Sequence, residues 1–84
     1  VWTDLGVMYR RNQQAGEAVR AFDRAVEIDP GHTIARFNKG VVLIHDLGQK
    51  EAGLKAWKAL LAIDPGARSP SGQTVEALVR HFEE

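Results

Sequence analysis

The sequence predicts an all-α fold made of stacked helical hairpins. The main observation is an internal repeat: the stretch 21–31 recurs as 56–66, and in both stretches apolar residues spaced three or four apart precede Asp-Pro-Gly. This spacing places the apolar side chains on one face of an α-helix, and the proline ends that helix. An offset of 35 residues is typical of arrays in which each unit is one supersecondary motif.

Composition limits what such an array can do. The chain has 84 residues, in which 11 lysines and arginines balance 11 aspartates and glutamates, and it has no cysteine. Balanced charge provides no overall field to attract nucleic acid or an anionic membrane surface, so we expect neither as a partner. The absence of cysteine from the sequence excludes disulfides and thiolate metal sites.

The sequence does not indicate the cellular compartment of the protein. No apolar run approaches the roughly 18 residues of a membrane span, and no signal peptide is recognisable. Because the sequence starts at Val1 inside an amphipathic pattern, we interpret it as a piece of a longer protein. That protein could be cytoplasmic or periplasmic, and it could carry a membrane anchor outside this piece.

The first unit, residues 1–32, is predicted to hold two helices. The first helix runs from Val1 to about Asn12, and the second from about Glu17 to Ile28, with a turn over 13–16. The apolar face of the first helix consists of Trp2, Leu5, Gly6 and Tyr9, with Met8 at its border. The apolar face of the second consists of Ala18, Val19, Ala21, Phe22, Ala25 and Val26.

The second unit, residues 33–66, repeats this plan with one extra residue. Helices are predicted over 33–46 and 50–63, with a turn over 47–49. The glycines Gly6 and Gly40 lie 34 positions apart, whereas the prolines that end the units lie 35 apart. An insertion within the second helix of the unit would rotate its buried face by about 100°. We therefore expect the extra residue near 45–47, at a turn that differs from the first one.

The predicted apolar faces of this unit follow the same spacing. They consist of Phe37, Gly40, Val41, Leu43, Ile44 and Leu47 in the first helix, and of Gly53, Leu54, Ala56, Trp57, Leu60 and Leu61 in the second. Residues 67–72 are turn formers and predict a loop. The spacing of Val75, Leu78, Val79 and Phe82 then predicts a helix within 73–84. We interpret this last helix as the cap that covers the open apolar end of the stack.

The residues of the first unit resemble the signature of a tetratricopeptide repeat. The matching positions are Trp2, Leu5, Gly6, Tyr9, Ala18, Phe22, Ala25 and Pro30. The second unit resembles the family less fully, through Gly40, Leu43, Gly53, Trp57, Leu60 and Pro65. It departs at Arg36 and Lys39, where the family prefers tryptophan and leucine. The resemblance covers residues 1–66, and its style is similar to that of bacterial members of the family, some of which are membrane-anchored.

The resemblance implies an α-α superhelix of two helix-turn-helix units plus a cap, forming a single domain over residues 1–84. In such a stack the first helix of each unit lines a groove that binds a peptide or a partner helix. The groove positions implied here are Thr3, Val7, Arg10, Arg11, Phe37, Asn38, Val41 and His45. Two interpretations of Asn38 stay open: it forms hydrogen bonds with the main chain of an extended peptide, or it is an exposed residue without a binding role. Arg10 and Arg11 could contact a carboxylate. Phe37, Val41 and Ile44 either form an apolar groove or contact neighbouring helices.

Some members of the family bind the C-terminal carboxylate of chaperone peptides through a clamp of polar residues, and this sequence matches that clamp poorly. Asn38 resembles one clamp position, but Thr3 and Val7 stand where the clamp has lysine and asparagine. Enzyme activity is not expected either, because the sequence has no HExxH, GxSxG or phosphate-binding glycine motif. We expect no cofactor and no metal site. A second hypothesis is self-association as a homodimer, either through the N-terminal edge of the stack or by exchange of helices, since no predicted helix covers Trp2 and Met8 at that edge.

Overall fold

A computed structural model describes residues 2–69 and 71–83. Predictions that concern Val1, Pro70 and Glu84 lie outside the described residues. The elements are α1 (Trp2–Arg11), α2 (Ala15–Ile28), α3 (Thr33–Val41), a π-turn (Val42–Asp46), α4 (Lys50–Ile63) and α5 (Val75–Glu83). The all-α prediction is confirmed: within the described residues, the β-type pairing recorded is a single bridge between Arg68 and Thr74. None of the helices in this part of the chain is long and apolar enough to cross a bilayer.

Helix boundaries follow the local turn chemistry. The α4 helix has the predicted bounds, but α2 begins at Ala15, two residues earlier than predicted. The reason is that Gln13 adopts the left-handed conformation, with φ of 62°, and completes the turn by itself. The α5 helix begins at Val75, after Thr74, whose hydroxyl oxygen accepts a hydrogen bond from the amide of Ala77 at 3.2 Å.

The first hairpin (α1 and α2) and the second hairpin (α3, the π-turn and α4) end in the same way. Asp29 and Asp64 follow α2 and α4 with φ and ψ of −136° and 89° and of −139° and 91°. In each case a carboxylate oxygen accepts a hydrogen bond at 3.2 Å from the glycine amide two residues on. The repeated Asp-Pro-Gly therefore forms the same side-chain-stabilised turn twice.

Each hairpin closes where a glycine faces an aromatic ring. A Cβ atom added at Gly6 would overlap the ring of Phe22, and one added at Gly40 would overlap the indole of Trp57. The missing side chain lets the two helices of a hairpin approach closely, and the ring fills the remaining space. Phe22 is fully buried and Trp57 is 1% exposed, as the predicted core requires.

The core has two parts. One part joins the hairpins, since Val42 and Ala35 from the second hairpin pack with Phe22 and neighbouring alanines of α2. The other part contains Trp57 and Leu60 together with Val75 and Val79 of α5. The last helix therefore covers the apolar face of α4, as predicted for a cap.

The extra residue of the second hairpin is absorbed in the π-turn. The amide of Leu47 bonds the carbonyl of Val42, five residues back, at 3.0 Å, which is the spacing of a π-helix. The turn that follows differs from the first one, as expected: the amide of Gln49 bonds the carbonyl of Leu43, six residues back, at 2.7 Å, whereas the amide of Gln14 bonds the carbonyl of Tyr9, five residues back. Gly48 nevertheless has φ of 67°, close to the value at Gln13. Leu47 was predicted on the apolar face, but it lies just past the π-turn and is 38% exposed.

Candidate functional site

One side of the molecule carries two neighbouring cavities, of about 720 and 730 Å³. We call the surface that contains them the concave surface. The first cavity is lined by Val7, Arg10, Arg11, Gln13, Ala15, Phe22, Asn38, Val41 and Asp46. The second is lined mainly by residues of α3, the π-turn, the 69–74 segment and α5. Val41 lines both cavities, so the two open onto one surface.

The first cavity brings together five of the predicted groove residues: Val7, Arg10, Arg11, Asn38 and Val41. They come from α1 and α3, which lie side by side because both hairpins place their first helix on the same side of the stack. No sequence motif links these two helices. The stacking of the hairpins alone makes them neighbours.

Arg10 already has a partner within the chain. Its Nε donates a hydrogen bond to Oδ2 of Asp46 at 2.7 Å, and its Nη2 lies 3.5 Å from Oδ1. Asp46 is the last residue of the π-turn. Sequence reasoning did not identify this pair, since the direction of Asp46 depends on how the extra residue is accommodated. The carboxylate contact predicted for Arg10 is made by the protein itself.

Asn38 and Arg11 differ from Arg10 in this respect. Among the described residues, no side-chain hydrogen bond or ion pair is recorded for either of them. Asn38 is half-buried in the lining of the first cavity, and Arg11 is exposed at its edge. A half-buried amide can donate and accept at the same time, and an exposed guanidinium can only donate.

The second cavity has an apolar floor and a polar rim. Its floor includes Trp57 and Phe82, whose ring centroids are 5.8 Å apart. His45 and His81 lie at the rim, each edge-on to Phe82, with centroid distances of 5.7 and 5.2 Å. His45 is thus in the second cavity and separate from the cluster around Arg10.

Phe37 belongs to the core and also lines the second cavity. Its ring is 8% exposed and stacks on Trp57, with centroids 5.5 Å apart and planes 4° apart. The indole nitrogen of Trp57 donates a hydrogen bond to the carbonyl of Phe37 at 3.0 Å. Val41 and Ile44 pack against the same cluster. Phe37 and Val41 also line the second cavity, so both alternatives left open by the sequence describe part of what these residues do.

Thr3 lines neither cavity. Its hydroxyl oxygen lies 2.9 Å from Nε2 of His32, and Nδ1 of the same ring accepts a hydrogen bond from the amide of Ala35 at 3.4 Å. With Nδ1 as the acceptor, Nε2 is the ring nitrogen that donates to the hydroxyl of Thr3. Thr3 therefore ties α1 to the start of α3, a structural contact that the groove prediction did not include.

The contribution of α5 was missed by sequence reasoning. That helix was interpreted only as a cap, yet Ala77, Leu78, His81 and Phe82 all line the second cavity. An amphipathic pattern identifies the face that contacts α4, but it does not tell where the opposite edge of the helix lies. Among the described residues, no group of three or more histidine, aspartate or glutamate side chains is placed to hold a metal ion.

Comparison with known families gives one match. The tetratricopeptide repeat family matches residues 1–32, which form α1, α2 and the turn after them. A comparison with curated proteins finds no relative that matches the chain. The matched residues include the close contact of Gly6 with Phe22 and the Asp-Pro-Gly turn described above. The chain therefore contains one stretch, residues 1–32, that matches the tetratricopeptide repeat family.

Proposed function

We propose that the concave surface of this protein binds an extended peptide or a helix of a partner protein. Tetratricopeptide repeats generally mediate protein–protein interaction. The observation that supports this site most is the meeting of the two cavities at Val41, which makes a surface that extends from α1 to α5. Binding sites of this size combine an apolar floor with a few polar groups that fix the ligand.

We also propose that residues 33–66 are a second, divergent repeat of the same family. The family match ends at residue 32, but the second hairpin reproduces the glycine–aromatic contact and the Asp-Pro-Gly turn of the first. In this proposal the single domain consists of repeats at 1–32 and 33–66, a loop at 67–72 and a cap at 73–84. The departures at Arg36 and Lys39 explain why the second repeat matches the family less well.

The two cavities would hold different parts of a ligand. Asn38 in the first cavity has an amide that can pair with the N–H and C=O of an extended peptide. The second cavity, with Trp57 and Phe82 in its floor, suits an apolar side chain of the same ligand. A peptide lying across Val41 would contact both cavities.

The Asn38 contact can be tested with peptides selected from a random phage-displayed library against the immobilised protein. Asn38→Ala is expected to weaken binding of the selected peptides about 5- to 30-fold, because one or two hydrogen bonds to the peptide main chain are lost. Asn12→Ala is the matched control, since Asn12 lines neither cavity. Affinities follow from fluorescence anisotropy. If the two variants bound the selected peptides with equal affinity, Asn38 would not belong to the binding site.

A second candidate function is self-association through the exposed face of α1. Met8 is 58% exposed, whereas Val42, which lies two residues after the equivalent glycine in the second hairpin, is fully buried against α2. The same helical position is thus covered in one hairpin and open in the other. Sedimentation velocity over a concentration series tests this candidate, and a monomer throughout the series would exclude it.

A further inference from the structure

The ion pair between Arg10 and Asp46 joins the two hairpins within the first cavity. Its shorter contact is 2.7 Å, and the two side chains are 44% and 27% exposed. The other ion pairs recorded among the described residues lie elsewhere: within α2, within α5, between Asp23 and Lys39, and between Lys58 and Glu83. Of all the ion pairs between described residues, the pair of Arg10 and Asp46 is the one with both side chains in the lining of the first cavity.

The extra residue of the second hairpin determines where Asp46 points. If Gly40 is matched with Gly6 and the count runs forward, Asp46 corresponds to Asn12 of the first hairpin. If Gly48 is matched with Gln13, which has nearly the same φ, and the count runs back, Asp46 corresponds to Arg11. One added residue rotates the following side chains by about 100° around the helix axis. The π-turn confines that rotation to the residues just before Gly48. π-Turns of this kind occur frequently at functional sites.

The chemistry of the pair bears on which ligands the first cavity accepts. A guanidinium binds a carboxylate through two of its N–H groups, so a carboxylate from a peptide would compete with Asp46 for the same donors of Arg10. Asp46 is attached to the same chain and holds its position without loss of translational freedom, which makes it a strong competitor. It also cancels the charge of Arg10 in the cavity lining.

We propose that Asp46 is a specificity-determining residue that lowers the affinity of the first cavity for acidic peptides. The ligand segment that binds in the first cavity then carries no carboxylate opposite Arg10. This inference rests on the proposed function of the concave surface and names the class of ligand that the surface selects. It also assigns a role to the π-turn, because that turn directs the carboxylate toward α1.

The test compares wild type with Asp46→Asn, which keeps the size of the side chain and removes its charge. The probes are two blocked dipeptides, acetyl-Glu-Glu-amide and acetyl-Gln-Gln-amide. Binding is followed by NMR through the Nε–H signal of Arg10 and the backbone amides of Val7 and Asn38. We expect Asp46→Asn to bind the glutamate probe at least 5-fold more tightly than wild type, with no change for the glutamine probe.

Glu17→Gln is the matched control, because it removes a carboxylate from an ion pair with Arg20 on α2 that lies outside both cavities. It should leave the affinity for both probes unchanged. The proposal is overturned if Asp46→Asn gains less than 5-fold for the glutamate probe, or if Glu17→Gln gains as much. The dipeptides report on Arg10 directly, so a failure here is distinguishable from a failure of the selected library peptides to bind.

Discussion

Replacement of Trp57 by alanine is expected to destabilise the protein by about 3–5 kcal/mol, the usual range for a large buried aromatic residue. The indole is 1% exposed, stacks on Phe37, contacts Phe82 and occupies the space opposite Gly40. Its hydrogen bond to the carbonyl of Phe37 is lost as well. A domain of this size has a total stability of roughly 4–13 kcal/mol, so the loss is a large fraction of it.

Urea denaturation followed by far-UV circular dichroism measures this loss. Trp2→Ala provides the matched control, because Trp2 is 39% exposed at the edge of α1, where Arg24 lies 6.0 Å from its ring centroid. We expect this control to lose less, about 2–3 kcal/mol, in proportion to its smaller buried area. Equal losses for the two tryptophans would contradict the assignment of Trp57 to the centre of the core.

The second large effect is expected for Gly40→Ala. In a helix, alanine is normally favoured over glycine by about 0.5–1 kcal/mol. At Gly40, however, the added Cβ atom would overlap the indole of Trp57, which cannot move away because it is enclosed. Overpacking of this kind costs about 1–3 kcal/mol or more. The net result is a destabilisation, in spite of the better helix propensity.

Gly16→Ala is the control with the opposite expected sign. Gly16 lies in α2 with no atom within 4 Å of the position that a Cβ would take. Alanine there should stabilise the protein by about 0.5–1 kcal/mol. Thermal unfolding resolves the contrast, since 1 kcal/mol shifts Tm by about 4–8 °C in a domain of this size. A higher Tm for both variants would show that α3 and α4 do not approach as closely as described.

Features set by nearby residues could be predicted from the sequence. The bounds of α4 and the turns at Asp29 and Asp64 depend on residues within a few positions of each other, and the repetition of the pattern identified them. The approximate position of the extra residue could also be predicted from the sequence, because the spacings of the glycines and of the prolines limit where it can lie. Its accommodation as a π-turn did not follow, since that depends on the packing of Val42 against α2.

The candidate site was predictable only in part, because its residues meet through long-range packing. Asn38 and Arg11 lie in the lining of the first cavity, and their role in binding stays a prediction. Phe37 lines the second cavity, but stacking on Trp57 leaves little of its side chain exposed. The partner of Arg10 lies 36 residues away at Asp46. No local pattern in the sequence identifies such a contact.

The central claim is that a polypeptide binds the surface formed by α1, α3 and α5, and NMR mapping of the bound peptide tests it most directly. A library-selected peptide is titrated into isotopically labelled protein, and the backbone amide shifts are recorded. The account predicts that the largest shifts occur at Asn38, Val41 and Ala77. Shifts confined to the opposite side, at residues of α2 and α4 such as Asp23 and Ala59, would contradict it.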